Sequence, residues 1–252
     1  MVYIQKKKDI LWGGATASSQ YEGGYDLDGK GLDTQDCRPY LKRTSDATTA
    51  TRLLTQEVID EAKKCQGIGN YPFRKGSDGY HHIDEDIALL KELGIDIYRF
   101  SISWARLYPQ GDELEPNKEG IAFYDHIFKE VHKAGMKIFL TMNHYAVPLY
   151  LVENYGGWTN RKLVTFYERF AKTVFEHWGQ YIDYFLPFNE INAGYFSPYN
   201  GVGLVKEKDQ PYNQSLVFQS LHHQFIASAK TIKIARELSP KSQSGCMVAC
   251  FC

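Results

Sequence analysis

The sequence predicts an α/β fold built on a parallel sheet, and three observations carry that prediction. Short apolar runs alternate with longer amphipathic segments from Asp9 onward, the pattern of repeated βαβ units. The runs are almost continuously apolar, as strands covered by helices are. Several of them end in polar side chains: Arg99 and Ser101, Asn143 and His144, Asn189 and Glu190.

Taken in order, Ile10 to Ala15 forms a first short strand. A long polar connection, residues 26–79, follows it, with a local helix expected over Thr51 to Cys65 and a loop over Gly67 to Pro72. Ile83, Ile87, Leu90 and Leu93 recur at helical spacing, and Gly94 stands where a helix C-terminus favours glycine. Ile95 to Ser101 is the second strand, Lys118 to Ala134 a helix stopped by Gly135, and Met136 to Met142 the third strand. A helix over Asn160 to Trp178 has Asn160 as its N-cap and Gly179 as its end. Ile182 to Phe188 is the fourth strand, Asn213 to Leu238 a helix, and Gly245 to Phe251 the fifth strand.

Polar residues at strand C-termini line the active site of a (β/α)₈ barrel of TIM type, and a doubly wound sheet also binds ligands there. No G-x-G-x-x-G or P-loop follows any strand, which weakens the nucleotide-binding alternative. A full barrel takes about 250 residues at its leanest. This chain has 252, yet yields five strands and four helices because the first connection is long. The expected architecture is therefore an incomplete barrel, with residues 1–252 as the N-terminal portion of a single domain.

Composition narrows the partners. At 43% hydrophobic, 23% charged and a formal net charge of −1, nothing points to nucleic acid or an anionic membrane. No apolar run approaches the roughly 20 residues of a membrane-spanning helix. The segment Ile10 to Trp12 is too short for the core of a signal peptide, so a cytoplasmic protein is expected. Five cysteines, an odd number, suggest no disulfide framework. Cys246, Cys250 and Cys252 crowd the C-terminus without the second ligand pair that zinc usually takes, and no metal or cofactor is expected. His81, His82 and Asp84 precede a helix and His144 stands alone, which speaks against a metal-dependent hydrolase. The aromatic content of 14% suits a carbohydrate site and a large core equally well.

Several stretches together carry a resemblance: LWGGATASSQYEGG (11–24), YRFSISWARLYP (98–109), GDELEPN (111–117), YGGWTNRK (155–162) and FNEIN (188–192). Over Leu11 to about Ala249 the chain resembles glycoside hydrolase family 1, the retaining β-glycosidases, and within it the bacterial 6-phospho-β-glucosidase branch. The resemblance implies hydrolysis of a small β-glucoside, 6-phosphorylated in that branch, as part of carbohydrate catabolism. It implies that Glu190 is the general acid that protonates the leaving oxygen and then the general base that activates water. Read from its position alone, a glutamate after a strand is a solvated loop residue or a helix cap. Asn189 would bind the sugar 2-hydroxyl, and Gln20 and His144 would hydrogen-bond glycon hydroxyls, since amide and imidazole can each donate and accept. Without the resemblance, His144 reads as a satisfied histidine at a strand end. Arg99 would support the nucleophile and hold it ionised. Trp104 and Trp158 also match family positions, and both read as packing residues.

Two departures stand out. The family usually has an acidic residue at Ala146 and a threonine at Pro187; the proline also removes a backbone donor near a strand's end. A retaining mechanism needs a second carboxylate about 5–5.5 Å from the first. The family's nucleophile lies in an E-N-G motif, which nothing after Glu190 resembles; Glu207 and Glu237 are in a polar loop and late in a helix. The expectation is thus a chain that stops before its nucleophile. The alternative is a half-barrel without turnover, open at strands one and five, with a homo-oligomer pairing those edges as one arrangement.

Overall fold

The computed structural model describes residues 10–42 and 54–250. Expectations for residues 1–9, for Thr51, Arg52 and Leu53 of the helix in the first connection, and for Phe251 and Cys252 lie outside them.

Five strands form one sheet in the order β1-β2-β3-β4-β5, every neighbouring pair parallel. They are β1 (Gly13–Ala15), β2 (Ile97–Ser101), β3 (Lys137–Asn143), β4 (Ile182–Phe188) and β5 (Gln243–Ser244). Four long helices connect them: α3 (Gly79–Glu92), α5 (Lys118–Lys133), α7 (Lys162–Trp178) and α10 (Gln214–Leu238). Because each strand pairs with its sequence neighbour and runs the same way, all strand C-termini share one rim. The alternating pattern in the sequence produces this incomplete (β/α) barrel directly.

The helices start and stop where their chemistry directs. Gly94 and Gly135 follow α3 and α5 with left-handed backbone, φ 71° and 82°. The Asn213 side chain accepts from the Ser215 N–H at 3.0 Å and caps α10. Asn160 does the same for Lys162 at 3.0 Å, so it caps α7 as expected although the helix proper begins two residues later. Gly179 ends α7 for a different reason than conformational freedom: a Cβ there would stand 2.5 Å from the Phe175 carbonyl oxygen and 3.0 Å from Ser239. The helix in the first connection is observed as α2 (Gln56–Lys64), and residues 67–71 are loop leading into a 3₁₀ turn at Pro72–Arg74.

One correction follows. The fifth strand is not Gly245 to Phe251; it is the pair Gln243–Ser244, which meets Tyr184 and Phe185. The Gly245 N–H still bonds the Phe185 carbonyl, but the next residues are diverted by the loop after β4. There the Met247 carbonyl takes the Ile191 N–H, and the Asn192 side chain bonds both the N–H and the carbonyl of Ala249. Apolar character survives in that stretch while the ladder does not. The four helices between strands are those expected. Beyond the four long helices and α2, the described residues hold five short ones: α1 (Ser18–Tyr21), α4 (Trp104–Leu107), α6 (Leu149–Tyr155), α8 (Ala193–Phe196) and α9 (Pro198–Val202). All lie after strands, on the rim side. Pro187 fits β4 because it sits past Phe185, the last residue paired with β5, where no ladder donor is required.

The core is aromatic. Trp104 stacks on Phe170 with ring centroids 5.6 Å apart, Tyr167 stacks on Phe188 at 4.7 Å, and Trp158 meets Tyr167 and Phe188 edge-on at 5.6 and 5.5 Å. Trp104 and Trp158 are buried, which bears out their reading as packing residues. A second anchor is polar: Glu22, buried before the first connection, accepts from Arg106 at 3.2 Å and from Tyr124 at 2.7 Å. It ties the start of the chain to α4 and α5.

Trp158 joins the 3₁₀ turn before α7 to the rings beneath the rim, so its truncation leaves a cavity that its neighbours cannot fill. Trp158→Ala is expected to destabilise the protein by about 3–5 kcal/mol, read as a lowered urea midpoint at unchanged slope.

Candidate active site

The rim collects residues from three adjacent strand ends. Asn189 and Glu190 directly follow β4, His144 and Tyr145 follow β3, and Arg99 belongs to β2. The Asn189 N–H bonds the Asn143 carbonyl at 2.9 Å, extending the β3–β4 pairing by one step beyond the strands. The chain then turns sharply. Glu190 takes left-handed backbone with φ 42°, and its carbonyl accepts from the Ala193 N–H at 2.7 Å, opening α8. The turn lifts the carboxyl off the sheet, which a continuing strand would not do.

Arg99 makes the widest connection. Its Nε donates to Thr141 Oγ1 on β3 at 2.9 Å, and its Nη2 donates to Asn189 Oδ1 at 2.7 Å. A further contact reaches the Met247 sulfur at 3.5 Å. Asn189 is buried and its amide oxygen is committed to the guanidinium, so its amide nitrogen is the group turned to other work. Burial lowers the proton affinity of Arg99 and the negative charge of Glu190 opposes that shift; the guanidinium stays charged.

Burial, with the positive charge of Arg99 beside it, pushes the His144 imidazole down to about 4. The ring is therefore neutral around pH 7 and can donate from one nitrogen while accepting at the other. Its Nδ1 is buried and has no partner among the described residues, and the same holds for Asn143 Nδ2. The His144 ring meets the Tyr145 ring edge-on at 4.8 Å.

Among the described residues Glu190 has one side-chain partner: the Tyr145 hydroxyl donates to Oε2. Tyr145 has no place among the residues read from the sequence. Its backbone is left-handed, φ 69°, which is uncommon for an aromatic residue, and no local pattern announces it. Gln20 stands on α1 after β1, exposed, with no hydrogen bond joining it to the other four. Glu207 lies in the loop after α9 and Glu237 in the last turn of α10, both exposed. The end of α10 leads into the start of β5, which puts Glu237 at the opposite end of the sheet from Glu190. Ala146 is buried and brings no charge to the rim. Among the described residues, no group of three or more His, Cys, Asp or Glu side chains is arranged to hold a metal ion. Nor is any helix among them long and apolar enough to cross a membrane.

The family model of glycosyl hydrolase family 1 matches residues 3–251. The chain belongs to this family. A 6-phospho-beta-glucosidase, AscB, of Escherichia coli (strain K12) is 42% identical over 242 residues, spanning 96% of this chain and 49% of its own length. An aryl-phospho-beta-D-glucosidase, BglH, of Bacillus subtilis (strain 168) is also 42% identical over 242 residues, with 95% and 47% covered. Among solved structures, a beta-glucosidase from Thermotoga maritima in complex with castanospermine matches at a TM-score of 0.74 and 25% identity, covering 96% of this chain and 49% of that one. The chain thus spans about half the length of the curated relatives it matches, and its five-stranded sheet corresponds to about half of a family 1 barrel.

The state of His144 has a measurable consequence. Unfolded, its ring takes a proton near 6.5, whereas folded it resists until about 4. The unfolded chain therefore binds more protons between those values. The contribution of His144 to stability is complete above pH 6.5 and is lost as the pH falls toward 4. The His144 imidazole resonances are expected to titrate with a midpoint near 4, and His144→Gln should flatten the fall in urea midpoint between pH 6.5 and 4.5. A midpoint close to 6.5 would contradict the assignment of a half-buried ring held neutral by its surroundings.

Proposed function

We propose that these residues form the acid/base and glycon-binding part of a retaining β-glycoside hydrolase acting on 6-phospho-β-glucosides in carbohydrate catabolism. The observation that carries the proposal is the turn after β4. It raises Glu190 from the rim beside an Asn189 held by Arg99, with a neutral histidine next to them. Glu190 protonates the glycosidic oxygen as the bond breaks, then takes a proton from the water that releases the sugar. Asn189, its oxygen fixed by Arg99, offers its N–H donors to the sugar 2-hydroxyl. His144 and Gln20 bond further glycon hydroxyls. The phosphorylated glycon follows from the names of the relatives in Escherichia coli and Bacillus subtilis. A cytoplasmic setting accompanies it, since such substrates are phosphorylated during import. Residues 1–252 constitute one portion of a single barrel domain in this reading.

A second reading is favoured by one observation: no other carboxylate among the described residues is bonded into the rim around Glu190, while retention requires a nucleophile about 5–5.5 Å away. In that reading these 252 residues bind sugar without turning it over, and Arg99, placed to support a nucleophile, instead orders Asn189. Without the covalent intermediate, most of the rate is lost.

Hydrolysis of aryl β-glucoside and aryl 6-phospho-β-glucoside by the purified protein, with Glu190→Gln beside it, separates the two. Turnover that Glu190→Gln lowers by about 10²-fold or more, and that prefers the phosphorylated substrate, establishes the first reading. Turnover no higher than that of the variant, in a sample that still binds the sugar, establishes the second. Turnover that the variant leaves intact removes Glu190 from the mechanism.

A further inference from the structure

From the contact between Tyr145 and Glu190 we infer that Tyr145 is a positioning residue for the acid/base carboxyl: its phenol holds Oε2, and Oε1 is the oxygen that transfers protons. The inference rests on the role of Glu190 given above and extends it.

Three independent features support it. The first is the hydrogen bond itself, in which the Tyr145 hydroxyl donates to Glu190 Oε2. A donor on one carboxylate oxygen favours the ionised form and fixes the rotamer, leaving the other oxygen free. The second is backbone conformation. The two partners, 45 residues apart, both take left-handed backbone, φ 69° and 42°, and only five non-glycine residues in the described chain do so. Such conformations persist where the surroundings over-determine them.

The third feature is what holds Tyr145 in that conformation. Thr34, fully buried in the first connection, clasps the loop after β3 from outside. Its N–H donates to the Val147 carbonyl at 3.0 Å, and its hydroxyl accepts from the Val147 N–H at 3.2 Å. The same hydroxyl donates to the Tyr145 carbonyl at 3.3 Å. Leu149 N–H to the Leu32 carbonyl, 2.8 Å, continues the clasp. The first connection thus fixes the backbone of Tyr145, and Tyr145 in turn fixes the carboxyl. On the other side Glu190 is anchored through Asn189 N–H to the Asn143 carbonyl. The carboxyl is held from two strand ends at once.

In the reaction this arrangement divides the labour of one carboxyl group. Oε1 carries the proton to the leaving oxygen and later receives one from water. Oε2 keeps the phenolic hydrogen bond throughout, so the proton cycle involves no rotation of the side chain.

The test is the Glu190 carboxyl carbon signal in NMR of protein labelled at the glutamate carboxyl carbon, at a fixed neutral pH, the signal being assigned by its loss in Glu190→Gln. Tyr145→Phe keeps the ring against His144 and removes only the hydroxyl. It is expected to displace the Glu190 carboxyl carbon signal, because one carboxylate oxygen loses its donor. The His144 titration should stay where it is, which a general loosening of the rim would not allow. Should Tyr145→Phe fail to fold, Glu190→Asp withdraws the carboxyl from the phenol instead. The labelled Tyr145 ring-hydroxyl carbon, no longer donating to that carboxylate, is then expected to move from its position in the unaltered protein. A Glu190 carboxyl signal unmoved in Tyr145→Phe, or a Tyr145 carbon unmoved in Glu190→Asp, overturns the inference. These readouts do not require turnover, whereas the role of Glu190 stands or falls on the hydrolysis assay, so the two failures are distinguishable.

Discussion

One guanidinium joins three strand ends. Arg99 leaves β2, passes Thr141 on β3 and reaches Asn189 beyond β4, with hydrogen bonds of 2.9 and 2.7 Å on the way. Parallel pairing puts these residues on one rim, but pairing alone sets only the backbone. The Arg99 hydrogen bonds set the side chains. Removing the guanidinium would leave the Asn189 oxygen buried without its donor, and an unsatisfied buried group costs more than the bond it once made. The charge also reaches its neighbours: added to burial, the larger cause, it helps keep His144 neutral, and Glu190 in turn favours the charged guanidinium.

The rim thus brings a cation, an ionisable acid and a neutral ring near one another. Glycoside cleavage asks for that mixture: a proton donor for a poor leaving group, and neutral groups that can both give and accept hydrogen bonds around sugar hydroxyls. Beneath it, Trp104, Trp158, Tyr167, Phe170 and Phe188 form a rigid aromatic floor. Groups placed on strands over such a floor are held more tightly than groups on free loops.

Much of this was legible in the sequence, and the exceptions have physical causes. β4 runs from Ile182 to Phe188 as its apolar run does, and β3 differs by one residue at each end, because a buried strand needs an uninterrupted apolar run and little else. The fifth strand was displaced since the apolar stretch after Gly245 is tied to the loop around Asn192 instead of to a ladder, and a side-chain bond of that kind leaves no periodic trace. The short helices after the strands are four to seven residues long, too brief for a 3.6-residue period to show. Glu190, Asn189, Arg99 and His144 stood out as polar residues at strand ends, and the fold brings them to one rim. Gln20 came from resemblance alone. Tyr145 could not have been found: it depends on a positive φ and on a partner 45 positions away.

The strand order has a consequence for how the molecule is made. Since β1 to β5 pair strictly in sequence, each strand finds its partner already present when it emerges during synthesis. Nothing needs to be inserted between strands laid down earlier, and after β2 each strand pairs with the one just completed rather than with a remote one. The sheet can therefore grow by accretion at one advancing border, with α7 and then α10 covering it as they are completed. The long connection clasped by Thr34 departs from this sequence of events. Its contacts with Val147 and Tyr145 span more than 110 residues and can form only after β3 is in place. The loop that carries Tyr145 would then be among the last features of the first three strands to set.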